Sequence, residues 1–395
     1  MKTRVEGNKV FLTIGVNITS VNAHEVEKDI KETLSSFPGM EPVIDAEDMT
    51  YISSAGLRVL VAVPRPDDHV LTICNAGPEF YEILEITGLI DVFNVQKKMK
   101  CISVEGCEAI GKGAFGVVYR LDEETVVKVY NRADCLDMIR NERILARQAF
   151  IAGIPTAISY DIVKVGDGYG SVFELLRAEN LNNTVISHPE EFDELTGKYL
   201  ELMKKIHNVE TESGMLPSAK DIFLKHLDNL GSVLPREAVK KISDLLNKLP
   251  PDNHVVHGDI QMKNVMVTDN ELMLIDMETL CTGDPVFELQ GMFITYRAFN
   301  EDEPDNTLHF VGFDEQMSKR IWERVLNGYF EGLTNDQIRE QENKIKLLGY
   351  IRFLDMIVTH NLTKPELKKI RIEHSIEHIN FLLDVVDNLA VRVIT

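Results

Sequence analysis

Apolar positions along residues 1–96 recur at two spacings. In "KVFLTIGV", Lys9 to Val16, they form the short run of a strand, whereas "VNAHEVEKDIKETLSSF", Val21 to Phe37, spaces them three and four apart as a helix does. "EPVIDAEDM" and "HVLTICNA" predict two more strands, and "SSAGLRVLVAV" and "GPEFYEILEITGL" two more helices. Pro78 suits the first turn of the last helix, Gly88 suits the position just past its end, and Pro64 and Pro66 stop the helix before it. Strands alternating with helices predict a sheet covered by helices, an α/β unit over residues 1–96. The short basic segment "QKKMKCIS", Gln96 to Ser103, marks the boundary, giving a linker over 97–103 and a second domain over 104–395. That domain opens with "CEAIGKGAFGVVYRLDEETVVKVY", two β-rich runs around the turn "LDEET". Beyond about Asn180 the pattern turns helical, so a β-rich lobe over about 104–178 and a helical lobe over about 179–395 are expected.

Charge narrows the partners. Forty-two basic and 63 acidic residues leave a net charge of −21, which opposes attraction to nucleic-acid phosphates and anionic lipid. The apolar residues of the first segment are interrupted by Glu6, Asn8 and Lys9, and no stretch approaches the roughly 18 apolar residues of a membrane helix. Five cysteines without a CxxC pair predict neither a disulfide framework nor a zinc site. The expectation is a cytoplasmic protein with no nucleic-acid and no membrane partner.

Candidate chemistry begins at Gly111, Gly113 and Gly116, a G-x-G-x-x-G-x-V pattern in "GKGAFGVV". Glycine allows positive φ and close backbone approach to phosphates. A dinucleotide fold would continue as a helix, whereas "VVYRLDEETVVKVY" continues as strands, so a kinase-type flap is expected. Lys128, on the second strand after the flap, is in place to bind phosphate. In "DCLDMIRNERILARQAFIAG", Glu142 falls in the middle of an apolar helix face, where a carboxylate is costly unless a cation meets it; Lys128 is the natural partner.

"HGDIQMKN" supplies His257, Asp259 and Asn264, with Asp and Asn five positions apart. Asp259 would orient the acceptor hydroxyl or take its proton, Asn264 would offer an oxygen to magnesium, and His257 would organise the loop. Alternation across "VMVTDNELMLI" predicts a hairpin, turning at "TDN", that ends at Asp276, a second magnesium ligand. Lys263 could neutralise the transferred phosphate.

These motifs resemble the protein-kinase-like fold from about residue 101, in its aminoglycoside phosphotransferase and choline kinase branch. The marks are Gly258 in "HGD", "IDME" in place of D-F-G, "GDPVFELQ" with Glu288 replacing an Asp, and His207 in "LMKKIHNVE". Residues 1–96 resemble the STAS domain of anti-sigma-factor antagonists, through "MTYISSAGLRVL" and "GPEFYEILEITGLIDVF". The resemblance implies an α+β two-lobed fold after the α/β domain, and a phosphoacceptor serine at a helix start, for which Ser54 and Ser53 are the candidates although Ala55 directly precedes the glycine.

The expected function is an ATP-dependent, magnesium-assisted phosphotransferase acting on a hydroxyl of a small molecule, with a STAS module for regulation or protein binding. Only seven residues, "METLCTG", separate Asp276 from Asp284, too few for a peptide platform. Two alternatives stand beside it: a protein Ser/Thr kinase acting on a STAS domain, its own or a partner's, and a non-catalytic nucleotide-sensing switch in sigma-factor regulation.

Overall fold

Strand β1 (Lys2–Glu6) is exposed at every residue and has no apolar run, so hydrophobic patterning misses it. It forms because Gly7, at φ +58°, folds it back along β2 (Lys9–Thr13), from Lys2 opposite Thr13 to Glu6 opposite Lys9. The computed structural model describes residues 1–391 other than 67–68, 114–115, 133–134, 270 and 361–362, with His360 by its backbone alone. Two compact units result: Met1–Ser103 with Val163–Gly166, and Val104–Ile162 with Asp167 onward.

In the first unit β2, β3 (Glu41–Asp45), β4 (Thr72–Ala76) and β5 (Asn94–Lys97) run parallel in that order, with β1 antiparallel at the edge. Helices α1 (Ala23–Ser35), α2 (Ser54–Val61) and α3 (Pro78–Ile86) cross between the strands. Leu12, Ile44, Ile73, Leu60 and Phe80 are fully buried between sheet and helices. Gly56 lets α2 pack closely, since a Cβ there would lie 2.6 Å from Ile52 and 2.8 Å from Ile18. As the prolines predict, α2 stops before Pro64. The residues read as a linker are partly structured: β5 runs to Lys97, and Cys101–Ile102 form a two-residue strand, β6.

The second unit opens with β7 (Ala109–Lys112), β8 (Gly116–Arg120) and β9 (Thr125–Tyr130), followed by α4 (Leu136–Ile151), β10 (Ser159–Val165), whose residues from Val163 on belong to the first unit, and β11 (Gly168–Glu174). Asp122 closes the β8–β9 turn by accepting from the Glu124 and Thr125 N–H groups and the Thr125 hydroxyl. Strand β9 lies antiparallel between β8 and β11, so Lys128 sits mid-sheet opposite Val118 and Ser171. After β12 (Glu179–Asn180) come α5 (Leu181–Ser187), α6 (Phe192–His207), α7 (Ala219–Asn229) and α8 (Arg236–Lys248).

Four short strands then carry the central motifs: β13 (Val255–Val256), β14 (Val265–Val267), β15 (Leu272–Leu274) and β16 (Cys281–Thr282). The hairpin pairs Val265 with Leu274 and Val267 with Leu272, while Asn270 of the expected turn lies outside the described residues. Helix α9 (Val286–Phe293) runs through a π turn (Ile294–Ala298) into α10 (Phe299–Glu301), and α11 (Glu315–Tyr329), α12 (Asn335–His360) and α13 (Pro365–Val385) complete an α+β unit with a helical second half.

Candidate active site

The glycine flap is the β7–β8 hairpin, whose tip residues 114–115 lie outside the described residues. Gly113 N–H donates to the Gly116 carbonyl at 2.9 Å. None of Gly111, Gly113 and Gly116 has a positive φ, contrary to one reason given for glycine there. Close approach is the reason at Gly116, where a Cβ would collide with the Val129 carbonyl oxygen as β8 crosses β9.

Lys128 Nζ, on β9, lies 3.1 Å from Glu142 Oε1 on α4 and 2.9 Å from Asp276 Oδ1 beyond β15. Glu142 is 3 % exposed among Ile139, Leu145 and Ala146. Its second oxygen accepts from the Tyr130 hydroxyl at 2.6 Å, a partner the sequence did not flag. Burial opposes the Lys128 charge, but Asp276 and Glu142 outweigh it and hold its pKa above the ordinary value. These groups line a cavity of about 350 Å³ with the flap glycines, Asn264 and Met277.

The loop after β13 is tied down at almost every backbone polar group. Glu288, on α9 and 1 % exposed, accepts from the N–H of His257 (2.7 Å), Gly258 (3.2 Å) and Ile260 (3.2 Å). Burial pushes its carboxyl up, but His207, whose Nε2 lies 3.6 Å away, and the Gly258 N–H outweigh burial and leave its pKa below the usual value. The Met262 N–H donates to the Tyr296 hydroxyl at 3.1 Å, and Tyr199 donates to the Ile260 carbonyl at 2.5 Å. Thr279 donates to the His257 carbonyl at 2.7 Å and Arg352 Nη1 to that of Gly258 at 3.1 Å. His257 itself is fully buried, its Nδ1 accepting from the Asp259 N–H and its Nε2 lying 3.2 Å from the Ile275 carbonyl. Such full satisfaction makes the loop rigid.

Asp259 projects from this frame. Its Oδ2 accepts from Gln261 Nε2 and Asn264 Nδ2, both at 3.1 Å. Burial raises its pKa, with the Arg352 guanidinium the strongest opposing influence. Asn264 also donates to the Asp259 carbonyl at 2.9 Å, leaving its amide oxygen as the remaining acceptor. Lys263 lines the same cavity and donates to the Phe310 carbonyl at 3.2 Å.

Asp276 adopts a left-handed conformation, φ 67° and ψ 63°, unusual for a non-glycine residue and a local strain of roughly 1–3 kcal/mol. The kink leads straight into the turn Met277–Thr279, which brings Glu278 back to the same spot. Carboxylate oxygens of Glu142, Asp276 and Glu278 all lie within 4.8 Å of one another. Clustered carboxylates, at a cavity that Asn264 also lines, are a donor set suited to a hard divalent cation such as magnesium. Sequence reading named Asn264 and Asp276 for this role and missed Glu278, whose only signal was a second acid in "IDME".

Burial, then the neighbouring Asp276, Glu142 and Asp259 charges, push Glu278 up to about 7 from 4.5, with Lys128 opposing. Between those values the native state holds a proton the unfolded chain has lost, so stability falls as pH rises, and the deficit is complete above 7. In EDTA at pH 8, Glu278→Gln should therefore stabilise the protein, by about 1–2 kcal/mol once solvent screening is allowed for. At pH 4.5 the gain should vanish; equal melting shifts at both pH values would refute the assignment.

Ser53 and Ser54 stand at the start of α2. The Ser53 hydroxyl oxygen accepts from the Gly56 N–H at 3.2 Å as the helix cap, whereas Ser54 is exposed at the first helical position. All five cysteines are free thiols.

The model of the phosphotransferase enzyme family matches residues 106–324, and that of the STAS domain residues 1–100. A Bordetella bronchiseptica protein named as an anti-sigma factor antagonist, BtrV, is 30% identical over 95 residues, covering 23% of this chain and 80% of that protein. Among solved structures, ADP-bound aminoglycoside phosphotransferase APH(2'')-Ib is 18% identical at a TM-score of 0.48, over 70% of this chain and 93% of its own. A choline/ethanolamine kinase family protein from Mesorhizobium loti is 15% identical at 0.44, over 70% and 88%. Among the described residues no helix is long and apolar enough to cross a membrane.

Proposed function

This chain belongs to the phosphotransferase enzyme family through residues 106–324 and carries a STAS domain over residues 1–100, and from that premise we propose that it transfers the γ-phosphate of ATP to a hydroxyl of a small molecule. The observation that carries this reading is the meeting of Lys128, Asp276 and Glu142 in one cavity, with Asn264 on its wall and Asp259 hydrogen-bonded to Asn264.

Each group has work suited to it. Lys128, fixed by Glu142, neutralises the α- and β-phosphates under the glycine flap. Asp276 and Asn264, with Glu278 beside them, would hold magnesium, whose charge offsets that of the phosphates. Asp259 orients the acceptor hydroxyl and takes its proton as the oxygen bonds to the γ-phosphorus and the bond to the ADP oxygen breaks. Phosphoryl transfer needs little beyond positioning and charge neutralisation, which a loop tied at so many points supplies.

A small acceptor is favoured by the segment after Asp276, which passes through one turn and the two residues of β16, paired with β13, directly into α9. Nothing of that length forms a peptide platform. ADP release should rise with at least one member of a panel of amino alcohols, sugars and aminoglycosides; a flat response across the panel, despite ATP binding, would count against a small-molecule acceptor.

The exposed Ser54 favours a second reading, a protein kinase acting on a STAS domain. Incubation with ATP and peptide mapping of residues 49–60 tests it, and unmodified peptide, alone and with candidate partners, would exclude it. The name of the Bordetella relative suggests that the STAS domain engages a protein partner.

A further inference from the structure

Position 258 cannot carry a side chain. Gly258 sits at φ +82°, and a Cβ there would lie 2.7 Å from the Thr279 carbonyl oxygen. The loop thus offers no cation immediately before Asp259; its lysine, Lys263, comes four positions later, lining the cavity and donating to the Phe310 carbonyl.

A cation arrives instead from α12. Arg352 Nη1 reaches the Gly258 carbonyl at 3.1 Å from 94 positions along the chain. Gly291, on α9, lies beside this contact: a Cβ there would be in ordinary contact with Nη1 at 3.7 Å and with the Gly258 carbonyl oxygen at 3.6 Å. Around Arg352 the helix is largely apolar, with Leu348, Ile351, Phe353 and Leu354 buried, and its buried acid Asp355 is held by His226 and Asn229. Arg352 itself is half-buried, and its charge is favoured by a nearby anion. A backbone carbonyl by itself could be satisfied by any neutral donor. Asp259 is the next residue in the chain, and its carboxylate feels the Arg352 charge.

We propose that Arg352 is a positioning residue for phosphoryl transfer: it fixes the Gly258 carbonyl and, through its charge, holds the Asp259 carboxylate in place to meet the acceptor hydroxyl. The assignment rests on the phosphotransferase reading above. It differs from the part played by Glu288, which holds the N–H side of the same loop.

The test uses the full chain with ATP, magnesium and water as acceptor, reading inorganic phosphate release for wild type, Asp259→Asn, Arg352→Gln and Arg352→Lys, alongside melting temperatures. Arg352→Gln keeps a donor for the carbonyl but loses the charge; Arg352→Lys keeps both. Gln should lower kcat about 10- to 100-fold with KM for ATP within about twofold, and Lys should stay within about fivefold of wild type. Wild-type kcat in the Gln variant, equal losses in Gln and Lys, or a Gln variant that melts below the assay temperature would each overturn the assignment. Wild type releasing no more phosphate than Asp259→Asn, and no more ADP with any member of the acceptor panel, would remove the phosphotransferase reading and the Arg352 role with it. An active wild type with an indifferent Arg352→Gln removes the Arg352 role alone.

Discussion

Replacing Asp259 by Asn should cost turnover about 10²- to 10⁴-fold while leaving ATP affinity nearly unchanged. Asparagine preserves the shape of the side chain, so the amides of Gln261 and Asn264, which reach Oδ2 at 3.1 Å, can keep a partner. What it loses is the capacity to take a proton and the negative charge that aligns a hydroxyl. Affinity is spared because Lys128, Glu142, Asp276 and the flap make no bond to Asp259, and Asn264, which does, keeps its bond to the Asp259 backbone carbonyl. Steady-state kinetics beside a calorimetric ATP titration separates the two quantities. Turnover within about threefold of wild type would remove Asp259 from the proton-accepting role.

Glu288→Gln should destabilise the second unit by about 3–5 kcal/mol. One carboxylate accepts three backbone N–H groups and faces His207, all in a fully buried setting. An amide offers one oxygen, and its NH₂ would point a donor at N–H groups that already need acceptors. Each unsatisfied buried donor costs about 1–3 kcal/mol. Urea unfolding measures the difference, and a loss below about 1 kcal/mol would mean that the loop holds itself without Glu288. Glu288→Asp, with the same charge one methylene shorter, should fall between the two.

The elements that local chemistry specifies were legible in the sequence. Helix α2 stops ahead of its prolines, the Asp122 turn joins β8 to β9, and Val265 to Leu274 alternate as a hairpin does. Strand β1 was not, because "KTRVE" has no apolar periodicity and is held by backbone pairing with β2 and by the Arg4 guanidinium over the Phe11 ring. The two-residue β6 was hidden for the same reason in a segment whose composition reads as linker.

The candidate site divides along similar lines. Glycine spacing, an acid on an apolar helix face, and Asp259 five residues from Asn264 are short-range patterns; the glycines, Glu142 and Asn264 line one cavity, and Asp259 is hydrogen-bonded to Asn264. Tyr130, Tyr296 and Glu278 carry no pattern of their own. Their positions matter only through what the fold sets opposite them: a second carboxylate oxygen, a loop N–H, a pair of neighbouring acids.

By itself, then, the chain's order of residues determined two domains' worth of α/β and α+β elements and the residue types for handling phosphate, because strand and helix periods and turn chemistry act within a few residues. Tertiary structure decided which distant groups complete them: Glu288 reaching back 31 positions to His257, and Arg352 reaching 94 to Gly258. Buried polar groups must find partners wherever packing brings one near, and that requirement acts through space without leaving a spacing along the chain.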